Sequence, residues 1–424
     1  MKYWAVLAGL LLAGALVHAQ DYSFEIPDMQ SNKSSLKLSG NIDLKYSIIK
    51  SRQSSLMYRL QNSNQPFQDS LSSYKINLYL NGDYQPGDTG IHFKTNTGYN
   101  SESQADAELY ELYGNMNLSV NSFLILGKKM YSWGKGYAFN PVGYVNPVKD
   151  PENPELSQSG IFSAGYEYSR SFQAGPLQNA SFDLIVIPSL ETVDSKISEV
   201  EKTGIAGKLY FLLFNTDIDI MQYYSNINPV KTGADFSGNI LTNLELHGEF
   251  SIARNQPKYI IANNALDSEN IEASSYLAGV RWLNEWNITT ILEYYHNDGG
   301  LTGNEFAGYN EYMANAVVSG NSNSISSAMN VSKSYFSGAN IMQDYLYLKM
   351  SCPEPFNWIY FTPSFFIILN INDESSMAGI PLSYKPITNF EFILWPAFLA
   401  GGKNTEFGSK PYENKLDLWI RFYF

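Results

Sequence analysis

A chain of 424 residues is long enough for two or three soluble domains, yet it contains no linker, low-complexity tract, charge block or long helical periodicity. Its formal net charge of −13 argues against nucleic acid and anionic lipid as partners, and a single cysteine, Cys352, excludes an internal disulfide. Aromatic residues reach 15% while mean hydropathy stays slightly negative, the combination expected of a sheet with one apolar and one wet face.

The N-terminus reads as a secretory signal. Lys2 precedes an uncharged apolar run from Trp4 to Val17, and Val17-His18-Ala19 places small residues at the two positions that signal peptidase reads. Residues 1–19 are therefore expected to be removed. The run is too short to span a membrane, and no cysteine follows it for lipid attachment. Residues 20–34 are expected as a short periplasmic segment, too small for a plug domain, and 35–424 as the folded domain.

Downstream, period-two alternation dominates. In "LKLSGNIDLKYSI", Leu36, Leu38, Ile42, Leu44, Tyr46 and Ile48 alternate with polar residues, and "YKINLYLNGDY" and "NLELHGEFSI" repeat the pattern. The strands are expected near 35–49, 71–84, 89–99, 106–120, 122–131, 160–171, 178–190, 203–214, 217–228, 232–240, 244–255, 272–284, 286–298, 341–352, 357–369, 376–386, 388–399 and 413–424. The number is eighteen, with sixteen as the alternative. Connections after even strands are short, whereas 50–70, 132–159, 256–271, 299–340 and 400–412 are long and all follow odd strands. That separation is expected if short turns face the periplasm and long loops face outward. In "FLILGKK" both faces are apolar, so the lipid side of 122–131 is left open between Phe123/Ile125 and Leu124/Leu126.

The last residues, "LDLWIRFYF", put Leu416, Leu418, Ile420, Phe422 and Phe424 on one face and Asp417, Trp419, Arg421 and Tyr423 on the other. This segment resembles the closing strand of Gram-negative outer-membrane β-barrels. The resemblance implies an all-β, transmembrane, antiparallel up-and-down barrel in the outer membrane, embedded in its lipid. It also implies that Phe424 is the signal read by the barrel-assembly machinery.

Residues 132–159 break the alternation. Pro141, Pro147, Pro151 and Pro154 stiffen the stretch into turns, Gly134 and Gly136 allow a sharp departure, and Tyr131, Trp133, Tyr137, Phe139 and Tyr144 supply apolar anchors. A stiff loop with its own anchors is expected to fold into or across the lumen, with Trp133, Lys135, Tyr137, Phe139, Asn140, Pro141, Lys149 and Asp150 forming a constriction. The bland reading keeps Trp133 and Tyr137 as girdle aromatics of an ordinary surface loop. The stretch "LGKKMYSWGKGYAFNPVGYVNPVKDPENPEL" resembles a group of uncharacterised outer-membrane barrels at Gly127, Lys128, Trp133, Gly134, Asn140, Pro141 and Pro151. Lys128, Lys129, Lys135, Lys149 and Arg170 are expected to gather into a local basic patch.

Strand parity assigns Asp43, Lys45, Glu111, Glu245, His247, Glu249, Arg281 and Glu293 to the lumen. Across all strands, inward acids outnumber inward bases about eleven to six, which predicts a mild preference for cations. His92, His247 and His296 are the candidate catalytic bases, but none stands beside a recognisable activated nucleophile, and no Cys/His spacing fits a metal. No cofactor and no catalytic residue is expected. The sequence thus points to a porin-like channel for small polar solutes, of open oligomeric state. The alternative is a surface receptor or adhesin, or a sleeve for a partner protein such as a cytochrome; a barrel lipase or protease ranks third.

Overall fold

The computed structural model describes residues 36–424 apart from 64–65, 102–103, 189–202, 227 and 339. The expected signal peptide and the segment 20–34 lie outside the described residues. Eighteen strands form one sheet: β1 (Lys37–Ser51), β2 (Ser70–Tyr84), β3 (Thr89–Asn100), β4 (Ala105–Ser119), β5 (Ser122–Lys129), β6 (Ile161–Ser171), β7 (Leu177–Ile187), β8 (Gly204–Leu213) and β9 (Thr216–Ser225) make the first half. The second half is β10 (Val230–Leu241), β11 (Leu244–Ala262), β12 (Ala265–Leu283), β13 (Thr289–Asn297), β14 (Asp344–Ser351), β15 (Phe361–Asn370), β16, β17 (Phe390–Ala400) and β18 (Tyr412–Tyr423). β16 consists of Ser376–Gly379 and Leu382–Ile387, split where Pro381 has no N–H to give to the ladder.

Every strand pairs antiparallel with its neighbours in sequence, and β1 closes the ring on β18 with Asp43 opposite Arg421 and Lys45 opposite Trp419. The seam ends where Gly40 and Phe424 exchange backbone hydrogen bonds of 2.9 and 3.0 Å. Closure leaves no strand edge, which a sheet in hydrocarbon requires because lipid offers no hydrogen bonds. Polarity is inverted relative to a soluble protein. Outward Leu44 and Ile420 are 43% and 41% exposed, whereas inward Asp43 and Asp417 are 3% and 2% exposed. On β5 the open question resolves: Leu124 and Leu126 face outward and Ile125 is buried inside.

Three features depart from the sequence reading. Residues 256–271 are not a loop: β11 and β12 continue as a paired ribbon to Asn263-Asn264, whose φ of 51° and 59° fit a two-residue hairpin turn. Residues 299–340 carry two helices, α2 (Gly303–Ser319) and α3 (Ser322–Tyr335). Leu56–Gln61 forms a further short helix, α1. Thr302 and Glu305 make a reciprocal capping box at the start of α2. Phe306, Tyr309, Met313 and Ala316 then follow at helical spacing into one apolar cluster with Leu60 of α1, Ala328 of α3 and the inward faces of β14–β17. The helices thus lie on the long-loop side, tied to the ribbon by Lys258–Glu305 at 2.9 Å and Asn315–Asn264 at 3.0 Å.

Candidate functional site

The segment between β5 and β6 passes through the barrel interior. It turns at Gly134, whose φ of 97° and lack of room for a Cβ (2.2 Å from Asn140 Oδ1) both call for glycine. Tyr131, Trp133, Val142 and Val145 bury against the inward residues Ile185, Ala206, Met221 and Tyr223 of β7, β8 and β9. Further along, Phe139 stacks on Tyr295 at 4.6 Å and joins the cluster containing Leu277, Tyr345 and Tyr347. The chain therefore reaches from β5 to strands on the far side of the ring.

Two buried carboxylates hold its backbone. Glu249 on β11 accepts from the N–H groups of Lys135 and Gly136 at 2.6 Å each and of Val142 at 3.1 Å. Glu293 on β13 accepts from Tyr137 N–H, from Ala138 N–H at 2.9 Å and from His247 Nε2 at 3.0 Å. A buried charge is tolerable only when hydrogen-bonded, and converging amide dipoles satisfy both groups. Lys135 reaches Asp219 at 2.8 Å and Asp235 at 3.9 Å on β9 and β10, and Tyr144 Oη meets Ser251 Oγ at 2.8 Å. Asn140 donates to Trp133 O at 2.7 Å. Pro141 sits in the turn closed by Gly143 N–H on Asn140 O. Asp150 accepts from Glu152 N–H at 3.0 Å.

The remaining parity-assigned residues are placed as follows. Asp43 receives Arg421 at 2.7 Å, Lys45 pairs with Asp417 at 2.9 Å, and Glu111 accepts from Met130 N–H at 3.3 Å. Glu245 accepts from Ser237 at 3.0 Å and stands opposite Arg281 in the ladder. Each histidine among the described residues has carboxylate partners: His92 with Asp83, His247 with Glu293, and His296 with Asp298 and Asp344. The expected basic patch does not assemble. Lys135 is engaged by the two aspartates, Lys129 pairs with Glu167 at 3.1 Å, and Lys149 donates into the carbonyls of Gly136 and Tyr137. Lys128 and Arg170 lie over Phe162 and Phe172 instead. Burial pushes the Lys149 ammonium below its usual value, with Glu249 and Glu293 opposing the fall.

With this segment against β7–β13, open space remains beside β1–β4 and β14–β18. It forms two cavities of about 740 and 240 Å³, and a separate cavity of about 360 Å³ lies along β5–β8, beside Glu167, Asp183 and Tyr210. The first two are both lined by Tyr79, Glu152, Asn153, Leu156, Trp395 and Trp419, so these two cavities adjoin at these residues, here called the waist. Strand direction orders them along the axis. The larger takes Asn41, Asn81 and Arg421, near the short-turn ends of β1, β2 and β18, and the smaller takes Lys45, Lys75 and Lys415, nearer the long loops. The two linings together hold seven basic and seven acidic side chains. Parity put Trp419 inside, but nothing in the sequence tied it to Trp395 or Tyr79, because waist membership depends on which wall the segment 132–159 leaves uncovered.

No protein-family model and no curated protein sequence matches the chain. Solved structures do. Pseudomonas aeruginosa OccK8 (OprE) superposes with a TM-score of 0.56 at 8% identity, covering 92% of this chain and 98% of that one. OpdQ of the same organism gives 0.55 at 10% identity, covering 92% and 97%. OccK2 (OpdF), solved in complex with glucuronate, gives 0.54 at 9% identity, again covering 92% and 97%. At these identities the likeness is one of fold: the chain is a closed, eighteen-stranded, antiparallel β-barrel with the architecture of these P. aeruginosa structures.

Proposed function

We propose that this protein is an outer-membrane channel of a Gram-negative bacterium, passing small polar solutes by diffusion and narrowed by residues 132–159. The observation that carries the reading is the pair of cavities stacked along the barrel axis and meeting at one waist. A segment clamped to one wall by Glu249, Glu293, Asp219 and Asp235 leaves a passage along the other. The acid excess along the strands favours cations, and the balanced charge of the passage keeps that preference mild. The glucuronate in the OccK2 structure is of the solute size this reading calls for. A sleeve for a partner protein fits less well, since the chain's own segment takes up the interior.

The test is planar-bilayer conductance of the refolded mature protein, with reversal potential in a salt gradient. Discrete steps with weak cation preference are expected, and deletion of residues 137–155 should enlarge them. Silence in the intact protein and in the deletion would overturn the channel reading.

A further inference from the structure

Three of the seven tryptophans, Trp282, Trp286 and Trp358, are 46%, 71% and 54% exposed. Such exposure is expected of amphipathic rings at a membrane boundary. Trp395 and Trp419 are different: they point inward from adjacent strands, their ring centroids 6.1 Å apart and tilted by 32°, at the waist of the passage. A channel for small ions gains nothing from two indoles where its two cavities adjoin, because they take up width and offer no charge. Beside them, β2 and β3 contribute neutral amides: Asn77, Asn81 and Asn96 line the two cavities, with Oδ1 atoms that are buried and have no hydrogen-bond partner within the protein, and the loop adds Asn153. An amide offers both donors and acceptors. Several of the nearby charges are paired, as in Lys45–Asp417, Arg421–Asp43 and Lys349–Glu155 at 2.9, 2.7 and 3.0 Å, and Lys45 Nζ also lies over the Trp419 ring at 4.7 Å from its centroid.

Aromatic faces beside neutral amides, with charge cancelled, match one solute chemistry. A pyranose has a C–H face that packs on a ring and equatorial hydroxyls that both donate and accept. We propose that the waist is a binding site for neutral saccharides, with Trp395 and Trp419 as the platform and Asn77, Asn81, Asn96 and Asn153 as hydroxyl partners. The proposal rests on the channel reading for its route of entry. A linear polyol lacks the flat face, and a sugar acid needs an excess of positive charge that the balanced lining does not give.

The experiment measures interruption of ion current by maltose, with sorbitol and glucuronate as comparison probes. Maltose should block saturably and better than either. The double substitution Trp395→Ala/Trp419→Ala should raise the half-blocking concentration roughly tenfold or more, the scale of a lost aromatic contact of about 1.4 kcal/mol. Phenylalanine at both positions should restore most of the block, and Trp286→Phe should leave it unchanged. Block that does not saturate, that survives the double alanine substitution, or that is strongest for glucuronate overturns the proposal. If no current flows at all, the channel reading fails separately, and calorimetry of maltose with detergent-solubilised protein decides the site. Heat that saturates in the wild type and is lost in the double variant sustains it; no saturable heat overturns it.

Discussion

Glu249 and Glu293 show how much a single inward side chain decides. Each sits in a strand whose alternation marks it as a lumen acid, and each uses its charge to gather backbone amides of a segment more than a hundred residues away in sequence. Replacing Glu249 by alanine strands three N–H donors, and an unsatisfied buried group costs about 1–3 kcal/mol. Glu249→Ala should therefore release the segment: amide exchange at Lys135, Gly136 and Val142 should accelerate by orders of magnitude while the strand amides stay protected. Glu406, in the loop after β17, is buried and accepts from Tyr345 Oη at 2.7 Å, Asn370 Nδ2 at 2.6 Å and Ile341 N–H at 3.2 Å. Burial raises its pKa, with Lys410 opposing. A folded-state pKa above the unfolded one means that ionised Glu406 costs stability at high pH, a cost relieved as pH falls through the raised value. The melting temperature of the wild type should thus rise relative to Glu406→Gln as pH is lowered toward the ordinary carboxylate range; a gap that stays constant would contradict this.

Elements differed in how far the sequence disclosed them. The strands of the wall were legible because lipid on one side and a wet interior on the other enforce strict alternation, as in Leu416–Phe424 against Asp417–Tyr423. The helices were legible only locally. Thr302-x-x-Glu305 before Phe306, Tyr309 and Met313 is a capping box opening an apolar stripe, but the Ser- and Asn-rich sequence of α3 masks the pair as a polar loop. The ribbon at 256–271 was hidden for a related reason: above the membrane nothing forces alternation, and Asn263-Asn264 was its one signal. Which wall the segment 132–159 would choose was not legible at all, since it depends on contacts between residues far apart in sequence. Thr302→Ala should cost about 1 kcal/mol through loss of the cap. The loss should appear as faster exchange across 303–319, with the barrel's melting unchanged.

At the scale of the molecule, the barrel closes through β1 and β18, and Phe424 ends that seam: a Cβ at Gly40 would lie 2.7 Å from its ring. If Phe424 is also the assembly signal, Phe424→Ala should sharply lower the amount of folded barrel recovered from cells. Refolding of the purified chain in detergent should be far less affected. Equal losses in both would place the residue's role in the fold alone. The proposed channel divides the barrel lengthwise: the chain's own segment is anchored along β7–β13, and the passage runs along the opposite wall between Trp395 and Trp419 and the segment's Asn153.

Thiol modification of a single waist position tests that division most directly. With Cys352→Ser removing the native thiol and Asn153→Cys placing one at the shared lining of both cavities, a cationic thiol reagent should lower single-channel conductance in a stepwise and reductant-reversible way. Complete modification, verified by mass, with conductance unchanged would show that solutes do not pass the waist and would contradict the account.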